Sequence, residues 1–356
     1  MKIALATIQT PFIHGGAEYL ITGLQRSLAE AGHVVERIAI PFRFSPLKEV
    51  ERSMRIWMDE NLTLLNGHQV DRVICLQFPA YYVKHPVKVL WLLHQFRVFY
   101  ELWDTPFYCP PPDNSQVHEL RKCVQKEDRQ QLADIPERFT ISRNVSARLQ
   151  RYNGISSIAL YHPPFEAEKF FNQPAEAYVF APSRLEEAKR HELLIRAMPQ
   201  VRSPVVAIIC GEGGQQVRLE KLVADLGLAH RVKFVGRVSE AEKRGLYANC
   251  LCVFFGPYDE DYGYVTLEAM LSSKAVITCA DSGGPLEFVK AEQTGLVVAP
   301  HPEAIADAVD RLFDDRPLTA RMGQSGREHY HRLNITWDSV VQTLTNVTHA
   351  VQSEIS

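Results

Sequence analysis

Two glutamates, Glu260 and Glu268, stand eight positions apart in the stretch Gly256 to Leu271, GPYDEDYGYVTLEAML, with Tyr262, Gly263 and Tyr264 between them. The aromatic, glycine-bearing front half cannot form a regular helix, whereas YVTLEAML reads as one that begins near Gly263. Glu260 therefore falls in the loop before a helix, and Glu268 about two turns inside it. A helix start carries backbone N–H groups without intrahelical acceptors, and here two carboxylates flank it. That set suits a ligand that is anionic in its middle and hydroxylated at both ends, the pattern of a nucleotide sugar. The same residues also fit a plain surface loop feeding an amphipathic helix, where acidic side chains cap the first turn and complement its dipole.

Basic residues supply a second pattern. Arg184 and Lys189 are five positions apart in SRLEEAKRHELL, directly after an apolar strand. One fork donor and one point charge at a strand end can neutralise a diphosphate without a metal, although loop cations are commonly just solvated. Gly15 and Gly16 head the first helix, where glycine lets a phosphate approach the backbone and also serves any tight turn. With no full G-x-G-x-x-G, the pair is a weak dinucleotide signal. His94 ends the run VLWLLH at the carboxyl end of a strand, where ligands of open α/β sheets collect.

These residues must be carried by alternating strands and helices. KIALAT, a glycine turn, a helix from about Ala17 to Ala31 and a strand from His33 to Ile40 make a βαβ unit, which implies a parallel sheet. In that helix Leu20, Leu24 and Leu28 recur every four residues with Ile21 beside them, giving one apolar face. Further strands are expected at Val70–Leu76, Val87–Leu93 and Phe139–Ser142, and a short helix at Val145–Tyr152. The aromatic, proline-rich segment FRVFYELWDTPFYCPPPD reads as a loop shaping an acceptor pocket, or as ordinary packing. Pro163-Pro164 and the polar run to Pro174 mark a boundary. Beyond it YVFAPS, VVAIICGEG, VKFVGRV, LCVFF, AVIT and TGLVVA alternate with helical patterns, a second doubly wound parallel sheet. The expected domains are 1–165, binding the acceptor, and 166–335, binding the nucleotide sugar. Both are Rossmann-like and face a central cleft, with 336–356 a C-terminal helix crossing back to the first.

Composition narrows the partners. A 356-residue chain suits two domains, and 46% hydrophobic with 23% charged residues marks a soluble globular protein. A net charge of -3 argues against a nucleic-acid binder. The seven cysteines include no C-x-x-C pair and read as free thiols of a reducing compartment. No leader or spanning run is apparent, so a cytoplasmic location is expected. Residues 41–60 pair Arg43, Lys48, Arg52 and Arg55 with Phe42, Phe44, Ile56 and Trp57. Such a basic amphipathic helix either meets an anionic inner membrane surface or is a solvated face.

Taken in order, GGAE at 15–18, His94, SRLEEAK at 183–189, GEG at 211–213, FVGRVSEAE at 234–242, EDYGYVTLEAM at 260–270, GGPLEFV at 283–289 and TGLVV at 294–298 resemble the retaining nucleotide-sugar glycosyltransferases of family GT4, which have the GT-B fold. The resemblance covers nearly the whole chain. It implies that Glu268 binds the ribose hydroxyls and Glu260 the hydroxyls of the transferred sugar. Arg184, Lys189, the amides of Gly263, Tyr264 and Val265, and the Gly15–Gly16 turn would hold the diphosphate. Gly211 would line the donor site, backbone near Val238 would meet the base, and His94 would approach the reacting face. Glu260, His94, Arg184 and Lys189 are thus the catalytic candidates.

The family often has glycine after the first glutamate, and here Asp261 follows it. The Asp259-x-Asp261 pair this creates imitates the metal-binding D-x-D of the other glycosyltransferase fold. With Arg184 and Lys189 present, no metal and no cofactor is expected. Two rivals remain: a GT-B-fold nucleotide-sugar epimerase, and a non-catalytic nucleotide-sugar-binding subunit.

Overall fold

The computed structural model describes residues 1–12, 15–111 and 114–346. The chain divides into two compact units, Met1–Phe165 with Thr336–Ser356, and Glu166–Ile335. Each is built on one six-stranded sheet.

Unit 1 runs β1 (Lys2–Gln9), α1 (Gly16–Glu30), β2 (Val34–Pro41), α2 (Leu47–Asp59), β3 (Arg72–Cys75), β4 (Lys88–Leu92), α3 (Ser115–Ala133), β5 (Glu137–Thr140), α4 (Arg143–Asn153) and β6 (Ile158–Ala159). The strand order is β2-β1-β3-β4-β5-β6, and the pairings are parallel. β1 is buried along its middle, as befits a strand covered on both faces. Leu20, Ile21, Leu24 and Leu28 form the buried face of α1, each burial contributing about 1.5–3 kcal/mol. Gly23 sits among them because a Cβ there would collide with the Trp337 ring. That ring belongs to α12 (Trp337–Thr345), which packs on α1, while Arg72 donates to the Leu344 carbonyl at 2.7 Å. The expected final helix to residue 356 lies outside the described residues beyond Asn346.

Unit 2 runs β7 (Tyr178–Pro182), α5 (His191–Ala197), β8 (Val206–Cys210), α6 (Gln216–Asp225), β9 (Val232–Gly236), α7 (Glu240–Asn249), β10 (Cys252–Phe254), α8 (Tyr264–Leu271), β11 (Ala275–Cys279), α9 (Pro285–Phe288), β12 (Gly295–Val298), α10 (Pro302–Asp314) and α11 (Arg316–Arg332). The sheet order is β9-β8-β7-β10-β11-β12, again parallel. From β7 the chain winds out through β8 and β9, then returns to lay β10 on the other side of β7. The switch point of this sheet therefore lies between the carboxyl ends of β7 and β10, where open α/β sheets bind ligands.

Two segments left open by the sequence send apolar side chains into the core. The apolar side of α2 is spent inside unit 1, with Val50, Met54 and Trp57 buried, so its amphipathicity serves the core. The aromatic loop after β4 is also largely packing: Phe96, Phe99 and Tyr100 are buried, and Arg121 lies over the Trp103 ring at 4.2 Å. No described helix is long and apolar enough to cross a membrane.

Candidate active site

The loops after β7 and β10 carry four of the sequence-predicted residues to the switch point. Lys189 meets Glu260 in an ion pair at 2.5 Å, with both side chains largely buried. Lys189 also lies 5.6 Å from the centre of the Phe255 ring. Backbone pairing fixes Glu260: its N–H donates to the Ser282 carbonyl at 2.8 Å, and its carbonyl accepts from Gly284 N–H at 2.8 Å. Arg184 is half exposed, 3.9 Å from the Glu186 carboxylate.

Gly263 turns the chain into α8 at φ 91°, a left-handed conformation that glycine adopts at little cost. A Cβ there would also stand 2.9 Å from the Pro285 ring. Tyr264 and Val265 follow in the first turn, whose N–H groups lack intrahelical acceptors. Glu268 sits further along α8 and is buried, which costs a carboxylate unless it is paired and hydrogen-bonded. α7 supplies both partners: Tyr247 donates to Glu268 Oε2 at 2.7 Å and Lys243 to Oε1 at 3.2 Å. Burial lowers the affinity of Lys243 for its proton, but the Glu268 and Glu240 carboxylates outweigh it and raise its pKa. A carboxylate has about four acceptor positions, so Glu268 keeps room for two hydroxyl donors.

Gly211 and Gly213 hold the neighbouring loop against the β7 loop. A Cβ on Gly211 would strike the Ser183 carbonyl, and one on Gly213 the Leu185 carbonyl. Leu185 N–H donates to Glu212 at 2.9 Å across this seam, next to Arg184. Val238 is half-buried, and its backbone hydrogen-bonds the Cys210 thiol at the end of β8.

The sequence reading missed the residues that assemble this set. Arg190, beside Lys189, adopts φ 53°. Its guanidinium donates to the carbonyls of Gly256 and Pro257, each at 2.8 Å, and to both Asp281 oxygens at 2.8 and 2.6 Å. One side chain thus ties the β7, β10 and β11 loops together. Its adjacency to Lys189 was a visible signal, whereas nothing in the chain announced Asp281, 91 residues away. Tyr247 and Lys243 did carry a signal, an i, i+4 spacing on one face of α7.

Asp259 and Asp261 both lie in the β10 loop, with Asp259 at φ 42° and its N–H donating to the Asp281 carbonyl at 2.9 Å. Among the described residues no group of three or more His, Cys, Asp or Glu side chains is placed to hold a metal.

In unit 1, His94 lies just past β4 with Nδ1 2.7 Å from the Gln95 carbonyl oxygen. A carbonyl only accepts, so the neutral ring carries its proton on Nδ1 and offers Nε2 as an acceptor. Gly15 is extended at φ -176°, an angle open to any residue, and its carbonyl accepts from Glu18 N–H at 3.0 Å. Gly16 opens α1 at the carboxyl end of β1, so it and His94 share the carboxyl edge of this sheet.

Residues 164–329 match the family described as glycosyl transferases group 1. Unit 2 belongs to the glycosyl transferases group 1. The residues quoted for GT4 between Arg184 and Val298 all lie inside this glycosyltransferase match. The chain is 32% identical over 178 residues to an uncharacterized glycosyltransferase of Methanocaldococcus jannaschii, covering 49% of this chain and 45% of that protein. It is 33% identical over 174 residues to the D-inositol 3-phosphate glycosyltransferase of Corynebacterium diphtheriae, covering 46% and 40%. The chain therefore spans less than half the length of each. Among solved structures, sucrose-phosphate synthase from Thermosynechococcus elongatus aligns with a TM-score of 0.78 at 19% identity over 97% of both chains. Anabaena HepE, solved with UDP and glucose, gives 0.71 at 18% over 97% and 98%. These likenesses show a shared GT-B α/β fold.

Proposed function

We propose that the chain transfers a sugar from a nucleotide-diphosphate sugar, UDP- or GDP-linked, to a hydroxyl of a glycan, lipid-linked sugar or small acceptor, with retention at the anomeric carbon. The observation that carries this reading is the switch point of unit 2. There a buried carboxylate already oriented by Tyr247 and Lys243 lies inside a helix, and a second carboxylate, paired to Lys189, lies just before its start. HepE, solved with UDP and glucose, and a GDP-mannose-dependent mannosyltransferase of Mycobacterium tuberculosis among the relatives support the donor class.

Glu268 accepts from the ribose hydroxyls and Glu260 from those of the sugar. Lys189 turns from Glu260 to the diphosphate, joined by Arg184 and the amides of Gly263, Tyr264 and Val265. Gly211 and Val238 border the nucleotide. The C1–O bond to the diphosphate breaks as the acceptor oxygen bonds to C1 from the same face. The acceptor proton passes to a phosphate oxygen, and the developing charge is met by fixed cations without a metal or cofactor. Unit 1 serves the acceptor side, with His94 and the Gly15–Gly16 turn at its carboxyl edge. The setting is cytoplasmic; any contact with an anionic membrane surface through 41–60 would use the exposed Arg43, Phe44, Lys48, Arg52 and Arg55.

A thermal-shift screen against UDP-, GDP-, ADP- and dTDP-sugars identifies the donor, since a ligand of the folded state raises its apparent stability. Transfer with NMR assignment of the product anomer, in the presence of EDTA, then tests the chemistry. An inverted product, or activity lost in EDTA and restored by manganese, overturns the mechanism. Interconversion of the donor without acceptor identifies an epimerase instead, and donor binding with neither reaction a non-catalytic subunit.

A further inference from the structure

Elsewhere on unit 2, the loop after α9 and one side of α11 border an open cavity of about 360 Å³. Its wall includes Lys290, Glu292, Arg321, Glu328, His329 and Arg332, none of them among the donor residues. The charge is one-sided. Glu292 is already held by both guanidinium nitrogens of Arg311, at 2.8 and 2.6 Å. Glu328 accepts from the neutral amide of Gln324 at 3.0 Å. Three full cations, Lys290, Arg321 and Arg332, thus face one carboxylate that has no cationic partner among the described residues. This concentration stands out on a chain whose net charge is -3.

A second observation points the same way. His329 Nε2 is buried and finds no hydrogen-bond partner among the described residues. An unmade bond at a buried ring nitrogen costs about 1–3 kcal/mol, and such an atom calls for an explanation. Burial, then Lys290 and Arg332, hold the His329 pKa below its ordinary value, which puts both cations within electrostatic reach of the ring.

We propose that this cavity binds a phosphate-class dianion, supplied either by a soluble phosphate or phosphate monoester or by the headgroup of an anionic lipid. The two arginine forks match phosphate oxygens in pairs and Lys290 adds a point charge, while His329 Nε2–H, sealed from solvent in this structure, reaches a remaining oxygen only after the ring turns toward the cavity. The surplus of cations suits a dianion better than a monocarboxylate. The site is independent of the sugar-transfer reading, because it shares no residue with it.

The test titrates inorganic phosphate into the full chain by calorimetry at constant ionic strength in chloride. Wild type and Arg184→Ala should share one saturable site of equal affinity, separate from any phosphate binding at the Arg184 and Lys189 donor cradle. The double variant Arg321→Ala/Arg332→Ala, both exposed positions, should bind at least tenfold more weakly with an unchanged melting curve. The imidazole NMR signals of His329, assigned through His329→Gln, should move with phosphate in wild type. Undiminished binding in the double variant, loss in Arg184→Ala instead, or a silent His329 overturns the proposal. Co-sedimentation with phosphatidic acid vesicles but not phosphatidylcholine vesicles, abolished in the double variant, supports a lipid source. Phosphate binding without such sedimentation supports a soluble one, and the absence of both refutes the site.

Discussion

The two sheets are both six-stranded and parallel but differ in strand order, and two of their buried acids, Glu268 and Asp128, are held in opposite ways. Around the switch point of unit 2 three acids have a cation: Glu260 has Lys189, Glu268 has Lys243 and Asp281 has Arg190. In unit 1 the fully buried Asp128 accepts instead from three phenols, Tyr81 at 2.8 Å, Tyr82 at 2.6 Å and Tyr100 at 2.6 Å. Burial pushes its carboxyl up to about 6, against the pull of those donors. Tyr100 also accepts from Asn153 at 3.3 Å, and Asn153 accepts from Gln95, so the network ends beside His94. The contrast separates two uses of a carboxylate. An acid facing a cation can exchange partners with a ligand that is itself charged and hydroxylated. An acid ringed by phenols is a joint, tying the loop after β4 to α3 and leaving nothing for a ligand to replace.

The largest effect should come from breaking the cation side of that contrast. Glu260→Ala and Lys189→Ala should each lower the transfer rate by about 100-fold, the order seen when one charge-stabilising group is removed. Near wild-type turnover in either would remove that residue from the mechanism. Arg190→Ala should cost about 3 kcal/mol of stability in denaturant melts, since it deletes four charge-assisted bonds to two other loops. Arg190→Lys should recover only part of this, because an ammonium cannot reproduce the fork. A loss below about 1 kcal/mol would mean the clamp is dispensable.

Tyr247→Phe is smaller: it frees one oxygen of Glu268 and should weaken binding of the cognate nucleotide by about five- to tenfold, roughly 1 kcal/mol. Calorimetry with the nucleoside diphosphate reads this directly, and unchanged affinity would detach Tyr247 from the site.

The smallest change, Asp128→Asn, sharpens the comparison through pH. A carboxyl raised in the folded state contributes stability present below its ordinary value, 3.8, and lost as pH rises through about 6. His191, buried with its pKa lowered to about 4 chiefly by desolvation, runs the other way, stabilising at neutral pH and losing this as pH falls. The difference between wild type and Asp128→Asn melts from pH 4 to 6 isolates the first term. A flat difference would show that Asp128 does not change its proton in that range.

The sequence by itself determined the alternation of buried strands and helices, because burial on both faces demands runs such as KIALAT and AVIT. It also placed Glu260 in a loop and Glu268 in the helix after Gly263, since that glycine both ends one conformation and begins the next. Strand ends were legible, and with them the loops that hold Arg184, Lys189 and His94. Only the tertiary structure decided which loops meet. Strand order brings the β7 loop beside the β10 loop, and no local pattern encodes that order. Lys189 and Glu260 are therefore joined across 71 residues, and Arg190 and Asp281 across 91. The face of α2 was left open for the same reason: periodicity shows that a helix has an apolar side, while only the fold shows what covers it.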